Sequence, residues 1–348
     1  MLAVVRQVTQ RYVDPLAEVW LGAAKRIGLR VVRTPDAYAA TDGGGTLAIG
    51  SDATLDADDS LAQMIFHELC HSLVEGEAAF ARPDWGMDNT GPDHDWREHA
   101  CLRLQWVLAG RHGLRALLAP TTDFRAFWDE LAGDVLADRA DVSVQAAIAG
   151  LRRVGEPPWA PALDEALAAT AQIAAAAARF ARAPDDAAGP RSLWCGVVEP
   201  PAPHPSGLPP RTAADAARCG TCAWRTSTRC RQAGARVEPA WPACERYEAA
   251  LDCQTCGACC RAAYHSVEVS RRDPVVKAHP ELIVDRGSYL EIRRNGDRCA
   301  ALDGGDIQHG AATRYHCAIY DERPRTCRDF TLGSAHCLTA RRRVGLSL

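Results

Sequence analysis

Apolar residues in the first half of the chain switch between helical and strand-like spacing. In "DPLAEVWLGAAKRI", residues 14–27, they recur at helical intervals, with Asp14 as cap and Pro15 just inside the first turn. "LRVVRT" and, after the turn-forming "TDGGG", "TLAIGS" read as short strands. "LDADDSLAQMIFHELCHSLVEG" opens on acidic and serine cap candidates and becomes a helix that stops near Gly76. After the polar loop "RPDWGMDNTGPDHDW", "REHACLRLQWVLAG" reads as another helix, and two or three alanine- and leucine-rich helices follow between 122 and 182. The proline-rich "DDAAGPRSLWCGVVEPPAPHPSGLPPR" has no period and reads as a linker. The pattern predicts an α+β chain. A compact domain of a small sheet plus helices, with a helical extension, covers 1–182, and a linker spans 183–216. An irregular, metal-stabilised cysteine-rich part follows, as a four-cysteine module over 217–250 and a larger cluster domain over 251–348.

Composition narrows the partners. The chain has 348 residues, 24% charged and 47% hydrophobic, with a net charge of -4. That balance gives no electrostatic reason to expect nucleic acid or an acidic membrane surface. The first thirty residues lack a signal-peptide core, and no apolar run is long and clean enough for a bilayer, so a cytoplasmic protein is expected. Of fifteen cysteines, only Cys70 and Cys101 precede Cys195. In a reducing compartment, such crowding towards one end points to bound metal rather than disulfides.

The pentad His67-Glu68-Leu69-Cys70-His71 carries the first candidate chemistry. At about 100° per residue, His71 projects about 40° from His67, so both imidazoles reach one ion. Glu68 lies about 80° to one side, where a carboxylate can hold a water. Ala62, Ile65, Phe66, Leu69 and Leu73 form an apolar stripe on the opposite face. A catalytic zinc takes three protein ligands and keeps one open position. The candidate third ligand is Glu98, at the start of the next helix. Cys70 and Cys101 read as small buried hydrophobes.

HExxH, a loop of this length and a helix-starting glutamate followed by alanine resemble the ImmA/IrrE-type metallopeptidases among the glutamate-zincins, over roughly residues 15–115. The resemblance implies a zincin-like fold and zinc held by His67, His71 and Glu98. Glu68 would take the proton of the attacking water and pass it to the leaving amine. Cys70 stands where the family has glycine, and the family's alanine-asparagine pair is absent. His94 and His99 are therefore alternatives to Glu98, and no oxyanion donor is assigned.

Two cysteine clusters follow. Cys219, Cys222, Cys230 and Cys244 supply four thiolates, the complement for tetrahedral zinc or one iron–sulfur cluster, and the segment is similar to small iron–sulfur modules. "CQTCGACC" gives Cys253, Cys256, Cys259 and Cys260, with Cys299, Cys317, Cys327 and Cys337 downstream. This order closely resembles the YkgJ-type CxxCxxCC cysteine-cluster proteins, from about 251 to the C-terminus. It implies zinc, iron or iron–sulfur cofactors, in one polynuclear cluster or two sites. Asp321 or Asp329 is expected to pair with Arg323 or Arg328. His265, His316 and His336 are expected outside the ligand sets, and "ARRRV" as a solvated helix face. No role is assigned to Cys195.

The leading expectation is a zinc-dependent hydrolase acting on a peptide or protein, fused to a cysteine-cluster unit that senses metal or redox state or recruits substrate. The alternatives are a metal-binding or iron–sulfur redox protein using the HExxH domain as scaffold, or a protein-modifying enzyme. Only the presence of the cysteine motif in flagellin lysine methylases suggests the last.

Overall fold

The computed structural model describes residues 9–87, 95–121, 124–181, 190–305, 307–308 and 311–348. The first helix, α1 (Pro15–Ile27), begins on Pro15, whose missing N–H costs nothing at a helix start. Asp14 occupies the cap position but its side chain makes no capping bond. Gly28 ends the helix at φ 103°, where its N–H bonds the carbonyls of Ala24 and Lys25.

Both predicted strands form, as β1 (Arg30–Thr34) and β3 (Thr46–Gly50), and they pair in parallel. A parallel pair needs a crossover, and the chain makes it through β2 (Ala39–Thr41), which the residue pattern did not reveal. β2 lies antiparallel on the other side of β3, so "TDGGG" joins β2 to β3. Asp42 holds that turn by accepting from the N–H groups of Gly44 (2.7 Å) and Thr46 (2.8 Å).

The HExxH helix, α2 (Leu61–Glu75), is capped by Ser60, whose Oγ accepts from Gln63 N–H at 3.1 Å. Ala62, Ile65, Phe66, Leu69 and Leu73 are all buried, as their stripe required. α2 packs against α1, α3 (Asp95–Arg111) and α5 (Val142–Arg153). α4 (Arg125–Glu130) and α6 (Ala162–Ala178) complete the helical layer. One core cluster joins α1, α2, α3, α5, α6 and the sheet, with Trp20, Phe66, Trp85 and Trp159 among its largest members, while Trp128 of α4 packs in a smaller cluster with Leu102 and Ala119.

The second half is built from short pieces. β4 (Arg225–Thr226), β5 (Arg229–Cys230) and β6 (Ala235–Arg236) form a small sheet around the first cysteine cluster. α7 (Cys253–Cys256) opens the second cluster, and β7 (Glu268–Val269), α8 (Pro274–Ala278), β8 (Ile283–Asp285) and β9 (Leu290–Ile292) follow. α9 (Arg325–Arg328) and α10 (Ala335–Arg343) close the chain. Apolar burial here is divided among small clusters, several of which contain cysteines.

The halves touch directly. Arg111 pairs with Glu245 at 2.6 Å, Arg211 with Asp134 at 3.0 Å, and Leu348 enters the main core. The basic run in α10 is not a solvated face. Arg341 is buried and pairs with buried Glu248, while Arg342 bonds Gln232 at 2.6 Å. A long-range partner, invisible in a local charge pattern, draws the guanidinium inwards.

Candidate metal sites

The HExxH residues converge as helical geometry requires. His67 Nε2 lies 3.1 Å from His71 Nε2. Glu98, in the first turn of α3, brings one oxygen to 3.2 Å from His71 Nε2 and the other to 3.7 Å from His67 Nε2. Burial alone would raise the Glu98 pKa, but the charges of His71 and His67 more than reverse this and hold it at about 2.

His67 is held from behind. Its Nδ1 lies 2.9 Å from Gln105 Oε1, while the Gln105 amide nitrogen donates to Leu118 O at 2.5 Å. With its nitrogen committed to a carbonyl, the amide offers its oxygen to His67, so Nδ1 carries a proton and Nε2 is the nitrogen turned to Glu98 and His71. Cys101 Sγ also approaches Nδ1, at 3.8 Å, and offers an atom within 4.8 Å of atoms on both histidines. It lies on the Nδ1 side of the ring, away from the meeting point of Nε2 and Glu98. Burial pushes its thiol well above the ordinary range. Cys70 is fully buried in the core.

Glu68 is buried, and its Oε2 accepts from Trp85 Nε1 at 2.8 Å. Asp84 and Trp85 both adopt positive φ, 46° and 57°, which non-glycine residues avoid. The edge strand holds them there: Asp84 Oδ1 accepts from Thr41 N–H at 3.1 Å, and Thr41 Oγ1 accepts from Trp85 N–H at 3.3 Å. β2 therefore positions the Glu68 carboxylate through a strained turn.

Neither Trp85 nor Gln105 was singled out in the sequence. Gln105 had a usable signal, since it follows Glu98 and Cys101 at helical i, i+3, i+7 spacing. His99 is not at this meeting point; it stacks on Phe127 with centroids 3.9 Å apart. Arg97 is engaged by Glu75 at 3.2 Å. His94 lies outside the described residues.

The second cysteine cluster surrounds a cavity of about 830 Å3, lined by Cys253, Cys259, Cys260, Cys299, Cys317 and Cys327. The turn after α7 depends on Gly257, at φ 56°, because a Cβ there would stand 2.8 Å from the Tyr315 ring. Cys299 is tied to the motif by its N–H, which bonds Cys260 O at 2.7 Å. Cys256 and Cys337 are more deeply buried. The thiols fall into two neighbourhoods: Cys253, Cys256 and Cys337 in one, and Cys260, Cys299, Cys317 and Cys327 in the other. Cys259 stands between them, with its sulfur 3.7 Å from that of Cys260. Burial first, then neighbouring thiolate charge, pushes Cys253 up to about 11 and Cys327 up to about 12. A hydrogen bond from Cys260 lowers Cys259 to about 7. Without a cation, burial and mutual repulsion disfavour the thiolate forms, the condition that metal binding relieves.

Residues 252–342 match the family model CxxCxxCC, described as "Putative zinc- or iron-chelating domain". The CxxCxxCC match spans all eight cysteines of this cluster, so metal chelation is the family's description of this part of the chain. No curated protein and no solved structure matches the chain. Within the CxxCxxCC region the expected acid–arginine pairs do not form: Asp329 pairs with Arg325, Arg328 reaches Asp273, and Arg323 lies over the Tyr320 ring. His316 is exposed and 3.2 Å from Asp303.

The first cysteine cluster lies outside that match. Cys219, Cys222, Cys230 and Cys244 line a cavity of about 10 Å3. No disulfide links the cysteines of either cluster. His204, which the residue pattern did not single out from the proline-rich stretch, is buried with Nε2 3.4 Å from Cys219 Sγ. Ser206 N–H donates to its Nδ1 at 3.1 Å, so the ring proton sits on Nε2, which donates to Pro242 O at 2.9 Å. Both nitrogens are committed, and His204 supports the cysteines instead of joining them as a ligand. No helix among the described residues is long and apolar enough to cross a membrane.

Proposed function

We propose that this chain is a zinc-dependent hydrolase of peptide bonds, acting on a peptide or protein from a cytoplasmic location and carrying a CxxCxxCC metal domain. The observation that carries the reading is the meeting of His67, His71 and Glu98 at one point, with Glu68 beside it. Two imidazole nitrogens and a carboxylate form the ligand set of a catalytic zinc with one open position. Zinc held there would polarise a carbonyl and acidify a water. Gln105 fixes the His67 tautomer that presents a lone pair to the ion. Glu98 remains a carboxylate. Glu68 is the general base and acid, its Oε2 fixed by Trp85 and its other oxygen left to exchange a proton with water and leaving amine.

Replacing Glu68 with Gln should lower hydrolysis of a quenched fluorescent peptide library about 100-fold or more. Zinc content, measured on the same sample, should stay unchanged. Full activity in the variant would overturn the assignment.

The cavity of about 830 Å3 favours a second role for the tail. It has the size of a ligand pocket as well as of a metal centre. The CxxCxxCC domain then holds zinc, iron or an iron–sulfur cluster that senses metal or redox state or recruits the substrate. Iron and labile sulfide in anaerobically purified protein, with visible absorption bleached by dithionite, is the expected signature of the iron–sulfur form.

A further inference from the structure

We infer that the chain holds a separate iron–sulfur centre in its first cysteine cluster, ligated by Cys219, Cys222, Cys230 and Cys244. The four residues come from four local pieces: the turn at Cys219–Thr221, the residue after it, β5, and the segment beside Pro210. All four nevertheless line one small cavity. The CxxCxxCC match begins only at residue 252, so it does not include this site.

The spacing of the sulfurs selects the kind of metal. Zinc binds thiolates at about 2.3 Å, which places the sulfurs of a tetrahedral site about 3.8 Å apart. Among the described residues, no three of these four sulfurs lie within 4.8 Å of one another. The cavity between them leaves about 10 Å3 in which the centre of a water-sized sphere can move, more room than one such sphere needs. That freedom sets the walls of the cavity farther from its middle than the length of a zinc–sulfur bond. A polynuclear cluster, in which iron and sulfide fill the middle and each thiolate binds at the edge, matches this wider frame.

The surroundings point to an anionic occupant. Arg225 and Arg246 both line the cavity, and the Nε of each is buried without a hydrogen-bond partner. A buried guanidinium nitrogen with no acceptor is costly unless an anionic group faces it. Four thiolates around an iron–sulfur core carry net negative charge and supply sulfur acceptors. His204, whose Nε2–H goes to Pro242 O, stands 3.4 Å from Cys219 Sγ as a buried wall of the site. Trp224, Val237 and Ala243 bury the neighbourhood and shield it from water.

The test uses the full chain, purified without oxygen, and does not depend on peptide hydrolysis. Iron, zinc and acid-labile sulfide are measured in the unaltered protein and in Cys230→Ser and Cys244→Ser. Each variant should lose iron and labile sulfide in equal amounts, with zinc unchanged. Any cluster signal that remains then belongs to the CxxCxxCC domain. Loss of one zinc with iron and sulfide unchanged would overturn the proposal in favour of a single-ion site. Unchanged content of all three would also overturn it. Should both variants fail to fold, the unaltered chain still decides: absence of labile sulfide overturns the proposal. In Arg246→Gln, where the thiolates remain, the cluster should persist with a shifted reduction potential, and an unshifted potential would contradict the proposed charge environment.

Discussion

The histidine site and the cysteine sites hold metal-binding side chains in opposite ways. At the HExxH helix the ligand atoms already stand 3.1 to 3.7 Å apart, because α2 and α3 are fixed by a core that owes nothing to metal. In the tail most of the cysteines border cavities, a small one at the first cluster and one of about 830 Å3 at the second, and the apolar clusters beside them are small and partly made of cysteine. Short chain segments with little apolar area to bury need another source of stability. One half has a core that brings the candidate ligands together; the other has cysteine clusters where a core would be.

Metal removal should therefore separate the halves more than any point mutation. Binding free energy that is also folding free energy reaches about 10 kcal/mol or more for small metal-organised modules. Stripping the full chain with a chelator under reducing conditions should unfold 204–348 while α1 to α6 keep slow amide exchange, measured by hydrogen–deuterium exchange. Equal protection of both halves in the stripped protein would erase the comparison.

A smaller effect of the same kind sits at Glu248. Its carboxylate takes Trp224 Nε1–H at 2.9 Å and the Arg341 guanidinium, joining the first cysteine cluster to α10. Glu248→Ala leaves a buried, uncompensated arginine and should cost about 3 to 5 kcal/mol. The denaturant midpoint of the tail should fall while that of the helical half stays. Restoring stability with the additional change Arg341→Met would show that the pair specifies an arrangement more than it stabilises one.

The same contrast explains what the residues revealed in advance. The stripe on α2, the Ser60 cap and the stop at Gly76 are local patterns, and each appears where the spacing placed it. Glu98 lands beside the histidines because it opens the next helix. β2 escaped notice because Ala-Ala-Thr is too short and too weakly β-forming to stand out. Trp85 reaches Glu68 through a strained turn that no periodicity encodes. In the tail the cysteine spacing made the clusters legible, but their division into neighbourhoods depends on non-local turns. Arg341 was misread for the same reason, since its partner lies 93 positions away.

The smallest expected effect probes how far the helical half prepares its site. Gln105 is fully buried on α3 and, of the candidate ligands, bonds His67. Its amide fixes the imidazole proton on Nδ1, which leaves Nε2 ready to bind. Gln105→Leu removes that acceptor and should weaken zinc affinity about 10- to 100-fold, or about 1.4 to 2.7 kcal/mol. Competition with a chromophoric chelator measures this directly. Gln105→Glu keeps an acceptor for Nδ1–H but loses the donor to Leu118 O, so it should cost stability while retaining most of the affinity. If the two variants bound zinc equally weakly, the role of Gln105 would be packing and not control of the tautomer. If both bound it as tightly as the unaltered chain, the preformed meeting of His67, His71 and Glu98 would suffice without support from behind.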